Sequence, residues 1–169
     1  MQIGNFHVGQ ANTANKPKLA AGELYLLWDN LTIRYDIIEL LQIYQNFAHD
    51  PDFKNLLAGD INTWEKQIDL IEQHMNKYKL PMPERPPKST SFKAETSVVK
   101  DEYLFRRLFT LAQDVLDLCI RSLRAFVIND ELREMFEDFF RKKLHMFDEL
   151  CRYGKVKGWF QIPPFMNQQ

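Results

Sequence analysis

The sequence predicts an all-α fold: four helices forming two antiparallel hairpins, joined by a long Pro-rich crossover. Three observations predict it. Four segments repeat apolar residues at spacings of three and four, which about 3.6 residues per turn gathers onto one helical face. Brief polar breaks divide the first segment from the second and the third from the fourth. Between the second and third, "LPMPERPPKSTSF" at 80–92 opens a connection of about twenty residues, where neighbouring helices of a bundle commonly need about 2 to 8.

Each element follows in order. The first helix is expected over about 21–48, with Leu24, Leu27, Trp28, Leu31, Tyr35 and Ile38 on one stripe. It ends at "AHDPDF", where Pro51 opens the next helix. The second, about 51–79, aligns Phe53, Leu57, Ile61, Trp64, Ile68, Ile71, Met75 and Tyr78, and stops at the prolines. The third, about 99–128, carries Leu104, Leu108, Leu111, Val115 and Leu118. The fourth, about 131–153, has Asp130 as its expected N-cap, Glu131 and Glu134 near the positive end of its dipole, and a stripe of Leu132, Met135, Phe136, Phe139, Met146, Phe147 and Leu150. A helix of about 28 residues is roughly 42 Å long, and twenty extended residues reach about 60 Å, so the crossover, 80–98, can run the full length of the bundle. Two hairpins with one such crossover define the ferritin-like variant of the four-helix bundle. Residues 1–18 read as a flexible polar tail and 19–169 as a single domain.

The composition narrows the function classes. The chain has 169 residues, 45% hydrophobic and 27% charged, with a formal charge of -1, which suits a soluble globular domain and offers no global attraction for nucleic acid or anionic lipid. The first residues lack the cationic and apolar regions of a signal peptide, and nowhere do about 20 apolar residues run uninterrupted, so neither export nor a membrane partner is expected. Cys119 and Cys151 fall within helical patterns and read as reduced thiols, which suits a cytoplasmic location. Gly-rich phosphate loops, Cys-x-x-Cys and His-Glu-x-x-His are all missing from the sequence.

A di-iron bundle needs Glu-x-x-His pairs, because positions i and i+3 share a face and both side chains can then reach one metal. No Glu here is followed three residues later by His. His145 and Asp148 form a His-x-x-Asp pair within the fourth helix and read as two exposed side chains. No cofactor is therefore predicted; the alternative is iron or manganese held by atypical ligands drawn from Glu65, Glu72, His74 and Asp114. Lys143 is the odd residue, a cation projected onto the apolar stripe of helix four. It reads either as a snorkelling edge residue or as a buried ammonium paired with Glu65, Glu72 or Asp114. A further alternative is a small apolar ligand between the helices, lined by Trp28, Tyr35, Trp64 and Phe139.

Apolar surface is in surplus. Helix one carries a second stripe, Ile33, Ile37, Leu40, Tyr44 and Phe47, and helix three adds Phe105, Phe109, Leu116, Ile120 and Leu123. A homodimer would bury such patches, unless the tail, the crossover and "GWFQIPPF" cover them.

From residue 19 onward, "LAAGELYLLW", "AHDPDF", "KLPMP", "NDELREMFEDFF" and "GWFQIPPF" occur in an order that resembles a family of uncharacterised proteins from spore-forming Gram-positive bacteria, ferritin-like bundles similar to the spore coat protein F group. The resemblance implies the bundle fold and a link to spores. Members can carry a His in the middle of helix two, where this chain has Gln67. The expected function is thus a non-enzymatic structural or interaction protein lacking a standard di-iron site, spore- or stress-associated, with a metal-binding ferritin-like oxidoreductase as the alternative.

Overall fold

The structure, a computed structural model, describes residues 2–3, 6–7, 19–89 and 98–164. In chain order its elements are β1 (Gln2–Ile3), β2 (Phe6–His7), α1 (Ala21–Phe47), α2 (Pro51–Lys77), α3 (Asp101–Ala125) and α4 (Asp130–Lys157). The two short strands pair antiparallel, Gln2 opposite His7 and Ile3 opposite Phe6. The rest of the expected 1–18 tail and the stretch 90–97 of the crossover lie outside the described residues.

The helix ends follow from local chemistry. At α2, the Asp50 carboxylate accepts from the backbone N–H groups of Asp52 at 2.9 Å and Phe53 at 3.1 Å, and Pro51 stands where its missing N–H costs nothing. This helix closes with Lys79 in the left-handed region at φ 56 and Leu80 N–H on the Met75 carbonyl at 2.9 Å, after which Pro81 prevents continuation. Helix α3 ends at Ala125, short of the expected 128, because Phe126 to Asn129 form the turn. The N-cap of α4 is Asn129, whose side chain accepts from Leu132 N–H at 3.2 Å, rather than the expected Asp130. Helix α4 runs past 153 to Lys157, and Gly158 at φ 68 ends it by a motif that returns Trp159 N–H to the Gly154 carbonyl at 3.0 Å.

Contacts at the two ends fix the topology. The Asp101 carboxylate at the start of α3 accepts from the backbone N–H groups of His49 at 2.8 Å and Asp50 at 2.7 Å, and Lys157 at the end of α4 meets Asp50 at 2.6 Å. At the opposite end, Asn129 donates to the Tyr78 hydroxyl at 2.6 Å. Helix α3 therefore starts where α2 starts, and the crossover must travel the length of the bundle. On its way Arg85 bonds Asp69 at 3.0 Å and Glu72 at 3.2 Å, and Gln42 donates to the Lys88 carbonyl at 3.1 Å.

Helix α1 packs along α2 and also meets α3, while α3 packs along α4. Helix α1 thus has neighbours on several sides, which explains its apolar residues all round. Ile37 is buried, and Ile33, Leu40, Tyr44 and Phe47 are half-buried. Leu24 and Trp28, expected in the core, are instead 39% and 41% exposed. On α3, Phe105 is fully buried rather than surplus. The C-terminal segment folds back over it, with Phe160 at 5.3 Å from Phe105 and 4.9 Å from Phe109 between ring centroids. Leu116 stays half-buried and Ile120 exposed.

Candidate functional site

The middle of the bundle carries charge. Arg34 on α1 is 0% exposed, although it falls at a position of the stripe that apolar residues would ordinarily fill. Its guanidinium is held by neutral groups: Nη1 donates to the Asn30 side-chain oxygen at 2.7 Å and the Asn30 carbonyl at 3.0 Å, and Nε donates to Gln67 Oε1 at 3.2 Å. Asn30 is itself fixed by donating to Ser122 on α3 at 2.9 Å. Three rings surround the cation, with the centroids of Trp64, Phe136 and Phe139 at 5.5, 5.7 and 5.1 Å. Its Nη2 has no hydrogen-bond partner. Burial pulls the guanidinium down to about 10, a fall opposed by the neighbouring Cys119 thiol. The thiol is itself pushed up by burial. Arg34 is therefore a cation at neutral pH without a carboxylate beside it.

A second cation lies close by. Lys143 on α4 is 4% exposed, so it does not snorkel, and its ammonium rests 4.8 Å from the Trp64 ring and 3.3 Å from Met146 Sδ. The carboxylate that faces it is Asp60, 5% exposed on α2, and not Glu65, Glu72 or Asp114. The two make no direct ion pair: Asp60 Oδ2 has no hydrogen-bond partner. Burial lowers the Lys143 pKa, and Asp60 opposes that shift. Burial raises the Asp60 pKa, with Lys143 and then Trp64 opposing. The Trp64 indole N–H lies near enough to favour the Asp60 carboxylate but closes no hydrogen bond of ordinary geometry.

These groups form the floor of a cleft. Helices α2 and α4 do not pack closely, and between them lies a cavity of about 550 Å³. Asp60, Trp64, Gln67, Phe139 and Lys143 line it at depth, Leu56, Leu70, Met146 and Leu150 give it apolar walls, and Lys66, Lys142, His145 and Glu149 stand around them. Of the aromatic residues expected to enclose a small ligand, Trp64 and Phe139 do line this space. Trp28 faces solvent and Tyr35 donates to Glu72 at 2.7 Å.

The four alternative metal ligands are not brought together. Glu72 joins α1 to the crossover through Tyr35 and Arg85. Glu65 is half-buried, Asp114 is exposed, and His74 is half-buried with its Nδ1 unpartnered. Among the described residues, no group of three or more His, Cys, Asp or Glu side chains is arranged to hold a metal ion. His145 lies near Glu149 at 3.5 Å, and Asp148 pairs with Arg152 at 2.6 Å, so the His-x-x-Asp spacing at 145–148 makes no pair. Sequence reasoning found Lys143 because it breaks an apolar stripe. The same test applied to Arg34, which follows Leu31 by three and precedes Ile38 by four, and to Asp60, between Leu57 and Trp64, would have found both.

The fold and this interior define an all-α four-helix protein with a buried polar centre. Residues 8–169 match the family described as Protein of unknown function (DUF3231), and the chain belongs to that family. No curated protein matches it. Among solved structures it is similar to a protein of Bacillus halodurans C-125 provisionally described as a spore coat protein, at 20% identity and a TM-score of 0.82, over 90% of this chain and 98% of that one. It is also similar to a conserved hypothetical protein of Mycobacterium tuberculosis, at 13% identity and a TM-score of 0.67, over 86% and 97%. At these identities the likeness concerns the fold.

Proposed function

We propose that this protein is a non-enzymatic binding or structural component associated with the spore, built on a ferritin-like bundle whose interior holds charged side chains where such bundles can hold metal. The single observation that carries this reading is Arg34, a fully buried guanidinium in the middle of the helices. The residues do not fit a di-iron centre. Such a centre requires inward carboxylates and imidazoles to offset the metal charge, and the described groups around Arg34 are Lys143, the Asp60 carboxylate, the Asn30 and Gln67 amides, the Ser122 hydroxyl and the Cys119 thiol. Gln67, at the position where the resemblance implies a His, uses its oxygen on Arg34.

Support for the spore association comes from the Bacillus halodurans neighbour and its provisional description. No described helix is long and apolar enough to cross a membrane. Homodimerisation belongs to the same proposal: Ile33, Leu40, Leu116 and Ile120 keep exposed apolar area on the adjacent helices α1 and α3 after the C-terminal segment has covered Phe105. The test follows the protein through the life cycle of its source organism with a specific antibody, together with light scattering on the purified chain. The reading expects enrichment in the spore fraction and a dimeric mass. Equal abundance in growing cells with exclusion from spores would overturn the spore association, and a monomeric mass at micromolar concentration would remove the dimer.

A further inference from the structure

The cleft between α2 and α4 has a chemistry that the scaffold reading does not use. It is of a size that small-molecule sites commonly have, about 300 to 1,000 Å³. It is also long: the lining on α2 runs from Asn55 to Leu70, about 22 Å of helix at about 1.5 Å per residue. A slot of that shape with apolar walls suits a chain-like or flat hydrophobic body.

Its floor asks for an acceptor of negative charge. The Lys143 ammonium has three donors, and its contacts are a thioether sulfur and a ring face, with no oxygen. The Trp64 indole N–H is a buried donor that lies near the Asp60 carboxylate but closes no hydrogen bond of ordinary geometry. Behind them, Arg34 adds a second cation whose Nη2 is also unpartnered, so two buried cations are set against one buried carboxylate. Buried polar groups ordinarily find partners, and orphaned ones are costly. Around the cleft stand Lys66 and Glu149, with Lys142 paired to Asp138 at 2.6 Å.

We propose that this cleft binds a small monocarboxylate with an apolar body, an acyl or aryl carboxylate, whose carboxylate accepts from Lys143 and Trp64 while its body lies along Leu56, Leu70, Met146 and Leu150. One negative charge answers the one excess positive charge. A doubly charged anion would meet Asp60 and Glu149, and an alkylammonium would be repelled by Lys143. The Lys143 ammonium lies deep, at 4% exposure, which suits the end of a slender ligand better than the short side chain of an acidic peptide.

The experiment titrates the full-length protein with decanoate below its micellar concentration, read by calorimetry and by Trp fluorescence, with methyl decanoate and decylammonium as controls. The expected result is saturable binding of one decanoate per chain, with both controls weaker by about tenfold or more. Lys143→Met should lower decanoate affinity by a similar factor while leaving the helical circular dichroism unchanged. Leu70→Glu provides a second variant, placing a carboxylate on the exposed wall without touching the buried charges, and should weaken decanoate more than methyl decanoate. Equal binding of all three probes, unaltered affinity in both variants, or no saturable binding would overturn the proposal. So would a dimer that resists decanoate and loses its cleft-facing Trp fluorescence change, since a second copy would then be the occupant.

Discussion

Two regions of this bundle are built to opposite rules. At the end where α2 and α3 begin, Phe53, Phe105, Tyr153 and Trp159 meet at centroid distances of 5.5 to 6.5 Å, in mostly tilted and edge-to-face pairs. Gly154 lets the rings close in there, since an added Cβ would stand 2.4 Å from Phe105 Cζ and 2.5 Å from Phe160 Cε2 and the rings would have to shift. A few turns away, Arg34, Lys143 and Asp60 are buried, Arg34 Nη2 and Asp60 Oδ2 have no hydrogen-bond partner, and the Lys143 ammonium meets only a thioether sulfur and a ring face. Aromatic packing stabilises through dispersion and removal of apolar area from water. Buried charges with incomplete partners cost free energy and are more readily understood as serving specificity or binding. The first region holds the bundle together; the second is the place to look for what it does.

The widest separation between the two should come from truncation. Phe105→Ala at the aromatic end should cost about 3 to 5 kcal/mol in urea unfolding, as large-to-small changes of buried aromatics do. Gly154→Ala should cost about 1 to 3 kcal/mol through overpacking against Phe105 and Phe160. In the middle, the paired change Lys143→Met with Asp60→Leu should be neutral or stabilising, by about 1 to 4 kcal/mol, because apolar groups of similar size replace charges that were costly to bury. A large loss of stability in that double variant would mean that the charges hold the fold, and the contrast between the regions would fail.

A smaller effect concerns pH. Burial holds the His74 imidazole below its ordinary 6.5, and its Nδ1 has no partner. The unfolded chain therefore takes up the proton first as pH falls, so stability should decline from about pH 6.5 downward, and His74→Gln should flatten that decline in thermal unfolding. Asp50 acts lower on the scale. Its hydrogen bond to Lys157 holds its carboxyl below 3.8, so the contribution is present above that value and lost as pH falls through the depressed folded value. Asp50→Ala should remove this acid-side loss and also the cap of α2.

Much of the architecture was legible because it follows from local rules. Pro51 marked the start of α2, the apolar periods gave four helices, and the length of the Pro-rich connection implied a crossover along the whole bundle. The ends of α3 and α4 were harder. Phe126 is apolar enough to continue a helical pattern, yet it is buried in the turn beside Phe136 at 5.0 Å. The site was less legible than the fold. Lys143 stood out as a charge on an apolar stripe, but its facing carboxylate could not be chosen, because pairing across helices depends on rotation and register that no single helix encodes. Arg34 passed unnoticed since α1 has apolar residues on every side, and the stripe chosen for it included Leu24 and Trp28, both exposed. Which face turns inward was decided by α3 and the crossover, far away in sequence.

The buried charged side chains Arg34, Lys143 and Asp60 occupy the middle of the bundle. The most direct test is the metal content of untagged protein purified without chelator, after anaerobic incubation with iron and manganese and removal of unbound ions. No stoichiometric retention of either metal is expected, in the wild-type chain or in Asp60→Asn. Retention of one or two ions per chain, lost on changing Asp60 or Glu72, would contradict it.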